Sequence, residues 1–286
     1  MTGTTSPKTT TSEDITKNSV PSGTKTSICP GTSTKEMFPA GTENNSPAPN
    51  TIKNDIGSGY VGGKGGAGVH QTIINLIPPH EVYIETHLGG ASIMKHKKPA
   101  IYNIGIDIDP GVINYWNSSP LFKNSKAVPE YDFINSDAIE CLKYDYYHGT
   151  KFIYCDPPYL MSTIKDRKYY NYRYTEQEHI ELLDFLKTLP YMVMISGYYS
   201  ELYMEMLPGW NTKTYEAMTR GGIKKTEWLW FNYPVPEKLH DYSFIGSTFR
   251  ERERIKKKRS RWLNRLKQLP PLERNAIIND LLSFKQ

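Results

Sequence analysis

A chain of 286 residues with 38% hydrophobic residues, a mean hydropathy of −0.57 and a net charge of +5 has room for one large domain or two ordinary ones, but too little apolar content to pack every residue. Three cysteines (Cys29, Cys141, Cys155) and seven histidines at no metal-ligand spacing argue against a disulfide framework or a bound metal. No apolar run approaches the ~20 residues of a membrane helix, and no signal peptide is visible at the start, so the expectation is a soluble cytoplasmic protein without a membrane partner.

Residues 1–55 are the part expected not to pack. Positions 2–51 hold 13 Thr and 7 Ser among scattered Pro, Gly and Asn, and Ile28, Met37 and Phe38 are isolated. Such a segment cannot bury enough surface to offset chain entropy, and reads as a disordered tail.

Residues 56–236 alternate between β-rich and helical patterns. Strands are expected at 81–85, 101–107, 151–155, 191–196 and 228–233, and helices at 69–77, 91–97, 110–116 and 175–189. The last helix is the clearest. Thr175 and Glu178 make a capping box, Ile180, Leu182, Leu183, Leu186 and Leu189 give one apolar face, and Pro190 stops it. This alternation predicts an α/β fold: a mixed, mostly parallel sheet with helices on both faces, whose chemistry sits at the carboxyl ends of the strands.

Residues 237–286 read as a basic helix at 249–269, with Trp262, Leu263 and Leu266 as a thin apolar face, a break at Pro270-Pro271, and a second helix at 272–284. Residues 250–267 hold 10 Lys/Arg against 2 Asp/Glu, a local +8 that leaves the rest of the chain at −3. A mildly acidic body with a basic helical hairpin points to an anionic partner, nucleic acid ahead of a membrane surface.

The residues that carry chemistry follow the strands. Asp156-Pro157-Pro158-Tyr159 comes directly after 151–155. The two prolines lock the backbone and donate no N–H, so a carboxylate and the Pro157 carbonyl are available to accept the protons of an exocyclic amine, while Tyr159 offers a face for a base to stack on. After the first strand comes Thr86-His87-Leu88-Gly89-Gly90-Ala91, a turn through which backbone approaches a ligand closely. Asp107-Ile108-Asp109-Pro110 closes the second strand, placing an acid where ribose hydroxyls are usually met; Asp109 before Pro110 is the expected helix cap, with Asp107 left free. Asp137-Ala138 follows a third strand, and Asp137 is suited either to an adenine amine or to capping the helix at 139–142.

This order of a Gly-rich turn, two acids and Asp-Pro-Pro-Tyr resembles the Dam-like, D12 class of adenine-specific DNA methyltransferases, and the likeness spans about 58–236. The segment Tyr60-Val61-Gly62-Gly63-Lys64-Gly65-Gly66 is similar to that family's N-terminal Gly-Gly-Lys element. The resemblance implies a Rossmann-like fold, S-adenosylmethionine as cofactor, DNA as partner, and methylation of the adenine N6 amine in the manner of a restriction-modification enzyme. It assigns Asp156, Pro157, Pro158 and Tyr159 to catalysis. Cofactor contacts fall to Tyr60, Lys64, Gly65, Gly66, Glu85, His87, Gly89, Gly90, Asp107, Ile108, Asp137, Ala138 and Asp156. Two departures stand out. Ala91 replaces the second glycine of the cofactor loop, and Asp137 lies only 19 positions before Asp156, which leaves no room for an inserted target-recognition domain. Low sequence specificity is therefore expected.

Nucleic-acid contacts are expected at Arg167, Lys168, Tyr169, Tyr170 and Arg173 in the loop 160–174, at Arg220, Lys224 and Lys225 in a hairpin turn, and at Lys256, Lys257, Lys258, Arg259 and Arg261 on the basic helix. The rival readings are methylation of cytosine N4 or of adenine in RNA, and a nucleic-acid-binding protein on a decayed methyltransferase fold.

Overall fold

A computed structural model describes residues 63–122, 128–144, 147–164, 172–218 and 222–284. The expected tail at 1–55 lies outside these residues, as do Tyr60, Arg167, Lys168, Tyr169, Tyr170 and Arg220.

Seven strands form one sheet in the order β3-β2-β1-β4-β5-β7-β6. They are β1 (Val82–Thr86), β2 (Tyr102–Asp107), β3 (Glu130–Asn135), β4 (Lys151–Cys155), β5 (Met192–Gly197), β6 (Asn211–Met218) and β7 (Lys224–Phe231). The first five run parallel, and β7 lies antiparallel between β5 and β6. Strands β1 and β4 are buried at every residue, as central strands covered on both faces must be. One face packs Tyr83, Phe152, Tyr154, Met194, Leu229 and Phe231 against α1 (Val69–Ile74), α2 (Ser92–His96) and α3 (Pro110–Ser118). The alternate residue Trp230 faces the other way and meets Tyr203 of α6 (Glu201–Met206), which packs beside α5 (Glu176–Thr188).

The expected capping box is present: Thr175 accepts from the Glu178 N–H and Glu178 accepts from the Thr175 N–H, and Leu182, Leu183 and Leu186 are buried. A short α4 (Ala138–Leu142) follows β3, capped by Asp137. Beyond the sheet come α7 (Phe249–Gln268) and α8 (Pro271–Ser283), neither of which has a buried residue.

Sheet order places the site. Strands β2 and β3 lie to one side of β1, and β4 to the other, so the order reverses between β1 and β4. Thr86 is in register with Cys155, and the loops 87–91 and 156–159 therefore leave the sheet side by side.

Candidate active site

Asp156 emerges from β4 with its side chain 19% exposed. Two groups occupy its Oδ1: the Lys64 ammonium at 2.8 Å and the Ser196 hydroxyl, donating at 2.7 Å from β5. Ser196 is itself hydrogen-bonded to the Tyr154 hydroxyl at 2.8 Å. Pro157 is buried beside it and Pro158 half-buried. Burial pushes the Asp156 pKa above the ordinary carboxylate value, against the opposing pull of Lys64 and Ser196. Burial would also strip Lys64 of its proton, but the charges of Asp156 and Glu227 outweigh it and hold the ammonium well above its usual value.

Lys64, expected among the cofactor contacts, thus has its charge in the Asp156 cluster. It is 3.3 Å from Glu227 Oε2 and donates to the Tyr159 hydroxyl at 3.2 Å. Tyr159 donates in turn to Glu227 Oε1 at 3.1 Å. The β6–β7 pairing sets Tyr215 opposite Glu227, and the Tyr215 hydroxyl donates to Oε2 at 2.8 Å. One face of Tyr159 is covered by Tyr198, stacked at 4.1 Å, with Lys225 over the Tyr198 ring at 4.6 Å.

On the β1 side, Glu85 is buried and accepts from the Tyr83 hydroxyl and the Met94 N–H, both at 2.9 Å, and burial lifts its pKa to about 7. The turn that follows is wound through left-handed backbone: His87 at φ 58°, Gly89 at 44° and Ala91 at 48°. A left-handed alanine costs roughly 1–2 kcal/mol, and the Ala91 methyl is fully buried in the core, which offsets part of it. Burial of its methyl group thus helps hold Ala91 in this left-handed conformation.

The Gly89 N–H donates to Asp107 Oδ2 at 2.8 Å, and the Asp109 N–H to Oδ1 at 2.9 Å. This corrects one expectation. Asp109 does cap α3, accepting from the Gly111 N–H, but Asp107 is not free: its buried carboxylate ties the β1 turn to the end of β2. The turn's Gly89 carbonyl is held by the Trp116 indole at 2.8 Å, and Gly90 is buried. Ile108, at 44% exposure, presents apolar surface next to these acids. The Asn135 side chain donates to the Asp107 and Ile108 carbonyls at 3.0 and 2.9 Å, so the β3 end is fastened to the same edge. Asp137 accepts from the Ile139 and Glu140 N–H groups, so capping is one of its roles, and Ala138 behind it is buried. Gly65 lies beside α2, where an added Cβ would sit 3.7 Å from the Ser92 hydroxyl, and Gly66 takes the Val69 N–H.

His87 links the turn to the far loop: its Nε2 is hydrogen-bonded to the Tyr174 hydroxyl at 2.9 Å, and burial lowers its pKa to about 3, so the imidazole is neutral. Tyr174, which sequence places in a nucleic-acid segment, sits against the β1 turn because the capping box starts α5 directly after it. Arg173 and Lys224 are exposed, as are Lys256, Lys257, Lys258, Arg259 and Arg261; Arg259 donates to the Tyr242 carbonyl at 2.6 Å. Glu227, Ser196, Tyr198 and Tyr215 were not foreseen. The strand expected at 228–233 begins in fact at Lys224, and alternation back from Leu229 would have turned Glu227 inward.

Among the described residues, no group of three or more His, Cys, Asp or Glu is arranged to hold a metal, and no helix is long and apolar enough to cross a membrane.

Residues 115–230 match the family described as D12 class N6 adenine-specific DNA methyltransferase. No curated protein matches the chain. Similar solved structures include a precorrin 8W decarboxylase from Methanobacterium thermoautotrophicum (14% identity, 61% of this chain and 94% of that one, TM-score 0.40). Others are a magnesium protoporphyrin IX methyltransferase from Synechocystis PCC 6803 (12%, 57% and 80%, TM-score 0.37) and TrmK from M. capricolum (13%, 75% and 95%, TM-score 0.38). The family match and the order 3-2-1-4-5-7-6 with β7 antiparallel identify the body as a Rossmann-like methyltransferase fold.

Proposed function

We propose that this protein, whose residues 115–230 match the D12 class, transfers a methyl group from S-adenosylmethionine to the N6 amine of adenine in DNA. The observation that carries the reading is the position of Asp156-Pro157-Pro158-Tyr159 at the end of β4, beside the β1 turn, with both described contacts of Asp156 on Oδ1. The Oδ2 atom is then the one to meet a target amine. The donor set also suits the cofactor: Asp107 for ribose hydroxyls, Asp137 for the adenine amine, and Ile108 and Ala138 for the ring.

When bound, S-adenosylmethionine supplies a methyl group already activated by its sulfonium. The chain's own residues have to orient and polarise the acceptor. Asp156 and the Pro157 carbonyl accept hydrogen bonds from the amine N–H groups, favouring a pyramidal, more nucleophilic nitrogen; the carboxylate stabilises the positive charge that grows as the N–CH3 bond forms and the donor's S–CH3 bond breaks, and the surplus proton then leaves the nitrogen to solvent. Tyr159 holds the base by stacking once it has left the duplex.

The direct test is incubation with labelled S-adenosylmethionine and DNA or RNA polymers, followed by digestion and identification of the nucleoside. N6-methyladenine from DNA supports the reading. N4-methylcytosine or a labelled RNA would redirect it, and no transfer with any polymer would leave the decayed-fold reading. Mapping the modified positions tests selectivity, which we expect to be low because only α4 and the short loop after it separate Asp137 from β4.

Asp107→Ala should weaken cofactor binding by about 1.5–3 kcal/mol, the worth of a charge-assisted hydrogen bond. Calorimetry checks this, and unchanged affinity would confine Asp107 to holding Gly89 and Asp109.

In the same reading, 56–236 performs the chemistry and 237–286 supplies phosphate binding. With +8 in residues 250–267, DNA affinity of the full chain should fall steeply with salt. Deleting 250–286 should flatten that slope. Equal slopes would move the phosphate contacts to Arg173, Lys224 and Lys225.

A further inference from the structure

A buried lysine 2.8 Å from Asp156 is at odds with the work assigned to that aspartate. Carboxylate and ammonium together are neutral, and a neutral pair stabilises a developing cation poorly. The cluster has a third member. Glu227 is 5% exposed on β7 and accepts from Tyr159 and Tyr215 while lying 3.3 Å from the same ammonium. With both carboxylates ionised the trio carries one net negative charge.

We propose that Glu227 is a positioning residue of the methyl-transfer site: it shares Lys64 with Asp156, keeps the cluster at net −1 where positive charge develops, and fixes the Tyr159 ring through its hydroxyl. The inference rests on the methyl-transfer reading above. It accounts for the contacts of the Lys64 ammonium with Asp156, Tyr159 and Glu227. Asp156 is oriented through Oδ1, Tyr159 through its hydroxyl, and Glu227 balances the charge. A hydrophobic residue at 227 would leave Lys64 to neutralise Asp156 outright.

The other groups around Asp156 do not supply the missing charge in a fixed form. Burial keeps Tyr83, Tyr154, Tyr203 and Tyr215 protonated, and lifts the Cys155 thiol to about 12. Glu85 on β1 is near enough to act on Asp156 but titrates at about 7.

The test compares Glu227→Gln with Glu227→Asp in the full chain. Gln removes the charge and keeps one acceptor oxygen, so one of the two tyrosine hydroxyls has to turn and accept from its NH2 group; Asp keeps the charge and both acceptor oxygens. The Gln variant should lose roughly tenfold or more in kcat, with KM for S-adenosylmethionine little changed. Its acid limb should move to lower pH by roughly a unit, because Lys64 then serves Asp156 alone. Glu227→Asp should restore both features in part. A Gln variant with unchanged kcat and acid limb overturns the proposal. So does a lower kcat with an unmoved limb, since that is what loosened packing alone produces.

A second readout does not need turnover. Carbon-13 carboxylate NMR of Asp156 should titrate at lower pH in Glu227→Gln than in the unmodified protein, with Glu85 common to both. An unshifted Asp156 overturns the proposal whether or not methyl transfer is detected. Absence of transfer by the unmodified protein, with the NMR shift present, instead overturns the functional reading and leaves the charge-sharing intact.

Discussion

Asp156→Asn should slow methyl transfer by on the order of 10²–10³-fold, the range seen when one electrostatic stabiliser of a transition state is removed, while cofactor affinity and fold stability stay nearly as they are. The amide keeps the size of the carboxylate and can still accept from Ser196 through its oxygen. It cannot balance positive charge growing on an acceptor nitrogen. Stability is spared for a specific reason. Burial makes the Asp156 carboxylate costly, as its raised pKa records, and Lys64 retains Glu227 as a counter-ion when that carboxylate is neutralised. Single-turnover transfer with calorimetry of cofactor binding separates the two effects. A variant keeping more than about a tenth of the rate has lost under ~1.4 kcal/mol of barrier stabilisation, and Asp156 would then be a structural residue at the end of β4.

The parts of this molecule that could be read from sequence are those fixed by local chemistry. The α5 capping box is complete within four residues, and the apolar run 152–155 of β4 is ended by Asp156-Pro157-Pro158, so both fall where the pattern puts them. Strand β6 was legible only as a strand-like run leading into the hairpin turn, without bounds. Its sequence, Asn-Thr-Lys-Thr-Tyr-Glu-Ala-Met, belongs to a solvent-facing edge strand, where the apolar signal fades. Helix α6 is six residues long, too short for a periodicity. The candidate site divides in the same way. Asp156 and Asp107 announce themselves because each closes a strand. Glu227 lies 71 positions beyond Asp156 and is brought to it only by β7 entering the sheet between β5 and β6. The partnership of Lys64 with both acids is likewise a product of sheet order. A lysine in a glycine-rich segment looks like a loop residue until the fold buries it.

Lys64→Met should be the most destabilising single change at this site, costing about 3–5 kcal/mol as expected for removing one partner from a buried ion pair. Methionine replaces the aliphatic stem, so the loss isolates the charge. Two carboxylates, one of them 5% exposed, are then left facing each other without a cation. The cost should depend on pH, and its sign follows from the shifts. In the unmodified protein the Lys64 pKa is raised, so its contribution is complete below the ordinary lysine value and constant between pH 5 and 8. In the variant, Asp156 loses the cation that most opposes its desolvation, and its already raised pKa climbs further. The folded state then holds a proton that the unfolded chain releases. Stability falls as pH rises from the ordinary carboxylate value through the folded one. Urea denaturation of both proteins at pH 5 and pH 8 should show a small deficit at the lower pH and the full deficit at the higher. Equal deficits at the two values would mean that Lys64 acts through its stem and that the carboxylates find other partners, and the charge-sharing assigned to Glu227 would lose its basis as well.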